Sequence, residues 1–195
     1  MLILFIKQQK KAILIIISLK NKNLIVILTI IMVLGAMFLE RIYTDKWKTE
    51  KEYQQGMELI QSHVTKYLIK NYEGIEKIEW QGVGVELQNS PIYGDSLFGN
   101  YIDSDVRVFV SKDEYFTVRF TLADETYYNN NLEKYEKSNS LTDANTDFSI
   151  QSDFEDATCN LNQTEKEKFD QFKKSPKGSS SAKVIYNLDI HELKY

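Results

Sequence analysis

Cysteine and proline are both scarce in this sequence, which has one cysteine and two prolines among 195 residues. A single cysteine excludes an internal disulfide, so the fold has to be held together by packing alone. The low proline content and a hydrophobic share of 43% argue against a chain that is disordered throughout. We therefore expect a folded domain without covalent cross-links.

Acidic residues are absent from the first 39 positions and begin at Glu40. Five lysines occupy that stretch: Lys7, Lys10, Lys11, Lys20 and Lys22. Subtracting their charge of +5 from the whole-chain charge of −4 leaves −9 for the rest of the chain. Because an acidic body repels a phosphate backbone, the sequence predicts no nucleic-acid partner.

One uncharged run of 17 residues, from Asn23 to Leu39, separates the basic tail from the acidic body. As a helix it would be about 25 Å long, against roughly 30 Å for the hydrocarbon core of a bilayer. The flanking Lys22 and Arg41 can extend their charged ends to the interface while their stems stay in hydrocarbon. We predict a transmembrane segment at 23–42 that contacts the lipid bilayer, and the alternative is a buried core helix of a soluble protein.

The unopposed lysines favour a cytoplasmic N-terminus. The sequence therefore predicts a single-pass protein of the cell membrane, with a basic cytoplasmic tail at 1–22 and an extracytoplasmic domain at 43–195. Cleavage after Ala36 would instead release a secreted protein. Lipid attachment at this point is excluded because Met37 stands where a lipoprotein has cysteine.

The body of the chain combines one long helical pattern with several strand patterns. Apolar residues recur at steps of three and four between Trp47 and Tyr72, and Gly74 follows as a helix stop. Apolar and polar residues alternate in later segments, most regularly from Tyr115 to Leu122. These patterns predict an α+β domain with an amphipathic helix at 47–73 and an antiparallel sheet of about four strands. The strands are expected at about 75–87, 101–110, 114–122 and 183–190.

Three further segments show no clear strand pattern. Residues 88–100 are rich in turn-forming residues and predict a loop. Residues 124–160 are polar and acidic, so we expect a polar excursion with at most short helices. The segment from Asn162 to Lys174 predicts a further short helix before the last strand, lined by Phe169 and Phe172.

No catalytic, cofactor-binding or metal-binding residue can be assigned from the sequence. Asp143 to Asp147 matches the first half of a calcium loop, but phenylalanines occupy the later positions that require glycine and glutamate. His63, His191 and Cys159 have no recognisable further ligand or orienting group, which a zinc site or a nucleophilic dyad would need. We therefore expect a protein that is not an enzyme and that uses no cofactor.

Tyrosine is common, with 12 residues in the chain. Tyrosine and arginine are enriched where proteins dock on one another. Two neighbouring predicted strands carry such residues at alternating positions, which would put them on the sheet face opposite the core. The predicted partner face comprises Arg107, Phe109, Tyr115 and Arg119.

The segments that carry a family resemblance are Lys66–Leu68, Asn71-Tyr72, Ile75–Ile78, Ser90-Pro91 and Gly99–Ile102. In these segments the chain resembles small exported proteins of low-GC Gram-positive bacteria, many of them lipoproteins of unknown function. The resemblance covers about fifty of the 195 residues, and the chain departs from the lipoproteins at Met37. It implies a location at the Gram-positive cell surface and an α+β fold, and it implies no activity.

The sequence thus predicts a membrane-anchored, extracytoplasmic binding module for a protein partner at the cell envelope. Two alternatives stay open. One is an immunity-type protein that neutralises a toxin attacking the envelope, and the other is the secreted protein that cleavage would release.

Overall fold

The computed structural model describes residues 22–86 and 101–193. The chain divides into two compact units, the first ending at Lys48 and the second beginning at Thr49. The predicted cytoplasmic tail, apart from Lys22, and the predicted loop at 88–100 lie outside the described residues.

The described helices are α1 Lys22–Asn71, α2 Leu122–Glu125, α3 Asp143–Thr158 and α4 Gln163–Glu167. The described strands are β1 Tyr72–Glu73, β2 Lys77–Trp80, β3 Val83–Glu86, β4 Tyr101–Phe109, β5 Tyr115–Thr121, β6 Thr126–Asn129, β7 Lys134–Lys137, β8 Lys173–Lys174, β9 Lys183–Ile185 and β10 Ile190–Glu192. The class is α+β, as predicted, but the strands outnumber the four that the sequence pattern suggested.

The first unit contains the beginning of α1, a 50-residue helix that covers the predicted membrane segment and the predicted helix at 47–73 except for its last two residues, which form β1. Among the described residues, it is the one helix long and apolar enough to cross a membrane. None of its most apolar stretch is buried. The first unit therefore gives no support to the alternative of a buried core helix.

In the second unit, the continuation of α1 presents an apolar stripe to the core. Met57, Ile60, Val64 and Leu68 are fully buried, which confirms the predicted spacing. The helix ends at Asn71, shortly before Gly74. Gly74 has φ of +82°, a left-handed conformation that glycine adopts without steric cost.

The main sheet of the second unit has four rows of strand, in the order β9/β10, β2/β3, β4 and β5. The second row is one run of chain interrupted at Gly82, which has φ of +100°. The Gly82 carbonyl accepts a 2.6 Å hydrogen bond from the Ser104 hydroxyl, which holds the break against β4. The four predicted strands correspond to these four rows.

The row formed by β9 and β10 contradicts the prediction of an antiparallel sheet, because these strands pair in parallel with β2 and β3. The predicted strand at 183–190 is also two strands with a break between them. Gln54 of α1 donates to the Leu188 carbonyl in this break at 2.8 Å. Gln61 donates to the Asn187 carbonyl at 2.7 Å. Parallel pairing requires a long crossover connection, and the helices of residues 122–167 supply it.

The prediction of a polar excursion with at most short helices at 124–160 is wrong, since α3 has 16 residues. The helix begins after Thr142, whose side chain accepts a hydrogen bond from the Asn145 amide. Thr146 and Ile150 are its buried residues. Its apolar face is therefore narrow, and a narrow face gives a weak periodic signal in the sequence.

The predicted helix from Asn162 to Lys174 is shorter than expected. Its helical part is α4, where Asn162 and Glu165 form a reciprocal capping box. Phe169 and Phe172 are buried as predicted, but they lie in the turns that follow α4. β8 then pairs antiparallel with β1, which closes this part of the chain onto the end of α1.

Aromatic side chains fill the core on the α1 side of the sheet. The Phe116 ring centroid lies 4.8 Å from that of Phe172 and 5.1 Å from that of Phe154. The Trp80 indole donates to the Thr65 hydroxyl at 3.0 Å, which satisfies a buried polar group. The buried core of the second unit therefore lies on this side of the sheet.

Candidate functional site

The candidate site lies on the side of β4 and β5 that points away from this core. On β5, Tyr115, Thr117 and Arg119 are exposed, and the residues between them are buried. Their partners across the ladder on β4 are Phe109, Arg107 and Asp105, respectively. Strand alternation therefore brings these six residues onto one surface, which we call the β4–β5 face.

Arg119 is held in place by two carboxylates of β4. Its guanidinium donates two hydrogen bonds to Asp105, at 2.8 and 3.2 Å, and Nε lies 3.3 Å from Asp103 Oδ2. The hydrogen bonds to Asp105 raise the pKa of Arg119 above its ordinary value. Asp103 is 3% exposed, and this burial raises the pKa of its carboxyl group although Arg119 opposes the rise. The guanidinium is thus fixed in direction while half of its side chain remains exposed.

Phe109 and Tyr115 form an aromatic pair further along the face, with ring centroids 4.9 Å apart. The Lys77 ammonium lies 3.6 Å from the Phe109 ring centroid, and Arg107 Cζ lies 5.2 Å from that of Tyr115. Phe109 is 7% exposed, whereas Tyr115 is 43% exposed. Tyr115 is therefore the aromatic ring that a partner can reach, and the buried Phe109 ring packs against it.

A groove of about 520 Å³ lies between β5 and α3. The strand side is lined by Tyr115, Thr117 and Arg119, and the helix side by Asp153 and Asp156. The Asp153 carboxylate accepts a 3.2 Å hydrogen bond from the Arg119 backbone amide, which ties α3 to the edge of the sheet. Burial raises the pKa of Asp153, and the nearby Asp156 adds to the rise. The volume falls within the range of roughly 300 to 1,000 Å³ that is usual for binding pockets.

The structure places all four residues of the predicted partner face on this one surface. Arg107, Tyr115 and Arg119 are at least partly exposed, whereas Phe109 is covered by its neighbours. The three acidic residues that line the groove were not predicted. Asp105 could have been found, because it follows the same alternation as Arg107. Asp153 and Asp156 could not, because nothing in the sequence indicates that α3 lies beside β5.

A second polar cluster surrounds Asp147 of α3 and has a structural role. The Tyr67 and Tyr72 hydroxyls donate to its carboxylate at 2.9 and 2.6 Å, and the Lys174 ammonium donates at 2.7 Å. Burial acts to raise the pKa of Asp147, but these hydrogen bonds outweigh it and the pKa is lowered. The carboxylate that resembled part of a calcium loop thus joins α3 to α1 and β8.

The two histidines and the cysteine lie on separate elements. His63 Nε2 is 3.6 Å from the Asp143 carboxylate, and burial lowers the pKa of His63. His191 pairs with Gly84 in the sheet, and Cys159 is exposed at the end of α3. Within residues 22–86 and 101–193, no three His, Cys, Asp or Glu side chains are grouped so that they could hold a metal ion.

Similarity to known proteins offers no guide to the function, since no protein-family model, curated protein or solved structure matches this chain.

Proposed function

We propose that this chain is a single-pass membrane protein whose second unit is a binding module for a protein partner outside the cell membrane. The partner docks on the β4–β5 face and in the groove beside it. The observation that carries the proposal is the placement of Tyr115 and Arg119, which are both exposed and line one wall of the groove. Aromatic and arginine side chains held in a defined geometry are the residues that contribute most to protein interfaces.

The fixed geometry of these residues favours a binding surface over a group of residues that are exposed only by chance. Asp105 holds the Arg119 guanidinium through two hydrogen bonds, and Phe109 packs against the Tyr115 ring. A side chain that is already ordered loses little conformational entropy when a partner binds. The face is therefore prepared for docking without a large rearrangement.

The first unit supports the membrane location. Its apolar helix residues are exposed, and they follow lysines that no acidic residue offsets. Exposed apolar side chains along the length of a helix are favourable in lipid and unfavourable in water. The lysines favour a cytoplasmic N-terminus, which leaves the second unit outside.

Tyr115→Ala is expected to reduce capture of the partner at least about tenfold, since a central aromatic contact contributes about 2 kcal/mol or more to an interface. The measurement is quantitative crosslinking on intact cells, followed by isolation of the full chain and identification of the proteins attached to it. A partner whose recovery depends on Tyr115 identifies the docking surface.

Tyr127→Ala is the matched control, because Tyr127 is 50% exposed and lies on β6, outside the β4–β5 face. This variant should recover the partner as the wild type does. Equal recovery with Tyr115→Ala and with the wild type would contradict the proposed docking surface.

A further inference from the structure

The backbone groups at the outer edge of β5, on the side away from β4, face the groove. Among the described strands, β5 pairs with β4 alone. The Arg119 amide donates to Asp153 of α3, so it points away from β4. Hydrogen-bonding directions alternate along an antiparallel strand, which means that the N–H and C=O groups of Tyr115 and Thr117 also point toward the groove. The Asp105 carbonyl on β4 fits this register, since it accepts from the Gln81 amide on its other side.

The side chains that line the groove carry more negative than positive charge. Asp105, Asp153 and Asp156 line it, and Arg119 is the one cation among the described lining residues. Arg119 is already engaged by two hydrogen bonds from its guanidinium to Asp105. Arg119 is thus directed at Asp105, and the described lining holds no second cation for the two carboxylates of α3. An added cation would offset their charge.

We propose that the groove binds an extended peptide segment of the partner that carries lysine or arginine. This inference rests on the proposed function and specifies the chemistry of the partner. The segment adds to the edge of β5 through hydrogen bonds to the backbone of Thr117. Main-chain hydrogen bonds of this kind supply the affinity in strand addition. Its alternate side chains point to opposite faces, so one basic side chain reaches Asp156 and Asp153 while a neighbour contacts Tyr115.

The probe for this inference is a short acetylated and amidated peptide of alternating threonine and lysine with a neutral fluorophore. Binding is measured by fluorescence anisotropy to the full chain in nanodiscs of phosphatidylcholine, a lipid without net charge that does not attract the peptide. Empty nanodiscs give the background. We expect saturable binding that weakens as salt is added, and no binding of the same peptide with glutamate in place of lysine.

The strand-addition step is tested by removing single hydrogen bonds. Thr117→Pro removes an N–H that points away from β4, so no bond of the β4–β5 ladder is lost. Thr117→Val keeps that N–H and is the matched control. We expect the proline variant to bind the lysine peptide about tenfold more weakly than the valine variant. A probe with alternate amides N-methylated should weaken binding similarly on the unaltered protein.

The charge step is tested by Asp156→Asn, which should weaken binding of the lysine peptide about tenfold and reduce its dependence on salt. Equal binding of the lysine and glutamate peptides, or of the N-methylated and unmethylated probes, would overturn the inference. If Tyr115→Ala abolishes partner capture while the lysine peptide fails to bind, the proposed docking surface stands and the basic extended segment is wrong. If Tyr115→Ala leaves capture unchanged, the proposed function itself fails.

Discussion

The double substitution Ile31→Lys with Leu34→Lys is expected to move the chain out of the membrane fraction that resists alkaline carbonate extraction. Each lysine near the centre of a spanning helix costs about 2.5 to 3.5 kcal/mol. The uncharged run has 17 residues, which is near the lower limit for a spanning helix and leaves little excess apolar surface to offset that cost. The measurement is the share of the chain recovered with membranes after extraction.

The matched control places the same two lysines at Ile42 and Tyr43, beyond the uncharged run. Lysine side chains near a helix end can extend their charged groups to the interface, so this variant should remain in the membrane fraction. Retention of the Ile31→Lys and Leu34→Lys variant to the same extent as the wild type would show that the run does not span the bilayer.

Phe116→Ala is expected to lower the free energy of unfolding of the second unit by about 3 to 5 kcal/mol. Phe116 is 2% exposed and contacts both Phe154 and Phe172, which come from α3 and from the turns after α4. Its removal leaves a cavity where three separate parts of the chain meet, and the surrounding rings can fill it only in part.

Unfolding of the full chain in detergent micelles by urea can be followed through the fluorescence of Trp80 after Trp47→Phe, since the chain has two tryptophans. Phe148→Ala is the matched control because Phe148 lies on α3 and is 75% exposed. Its effect should stay within about 0.5 kcal/mol. Similar losses for Phe116→Ala and Phe148→Ala would contradict the described core.

Periodic patterns made part of this fold predictable from the sequence. The stripe from Met57 to Leu68 repeats every three or four residues over a long helix, and β5 alternates over seven residues. Each pattern reports which side of one element is buried, and the structure confirms both predicted faces. The placement of Arg107, Tyr115 and Arg119 on one surface follows from the same alternation and needs no knowledge of the rest of the fold.

The remaining features depend on contacts between distant parts of the chain. α3 was missed because its buried side chains are Thr146 and Ile150, which give little hydrophobic periodicity in an acidic segment. The groove was missed with it, since one wall is formed by Asp153 and Asp156 of that helix. The parallel pairing of β9 and β10 was not predicted, because residues that alternate along a strand show which face is buried and not which direction the neighbour runs.

The tyrosines show the same difference between what the sequence pattern indicates and what contacts between distant residues determine. Its abundance suggested a docking surface, and Tyr115 lies on the β4–β5 face. Tyr67 and Tyr72, however, donate to Asp147 and hold α3 against the end of α1. A count of tyrosines does not separate these two uses, whereas the exposure of each ring and the partner of each hydroxyl does.

The central claim is that the second unit lies outside the cell membrane, where its groove can meet a partner. Cys159 is the single cysteine of the chain and is exposed at the end of the helix that carries Asp156. We predict that a membrane-impermeant maleimide labels the full chain on intact cells and that Cys159→Ser abolishes this labelling. Labelling that appears only after the membrane is permeabilised would place the second unit inside the cell and contradict the account.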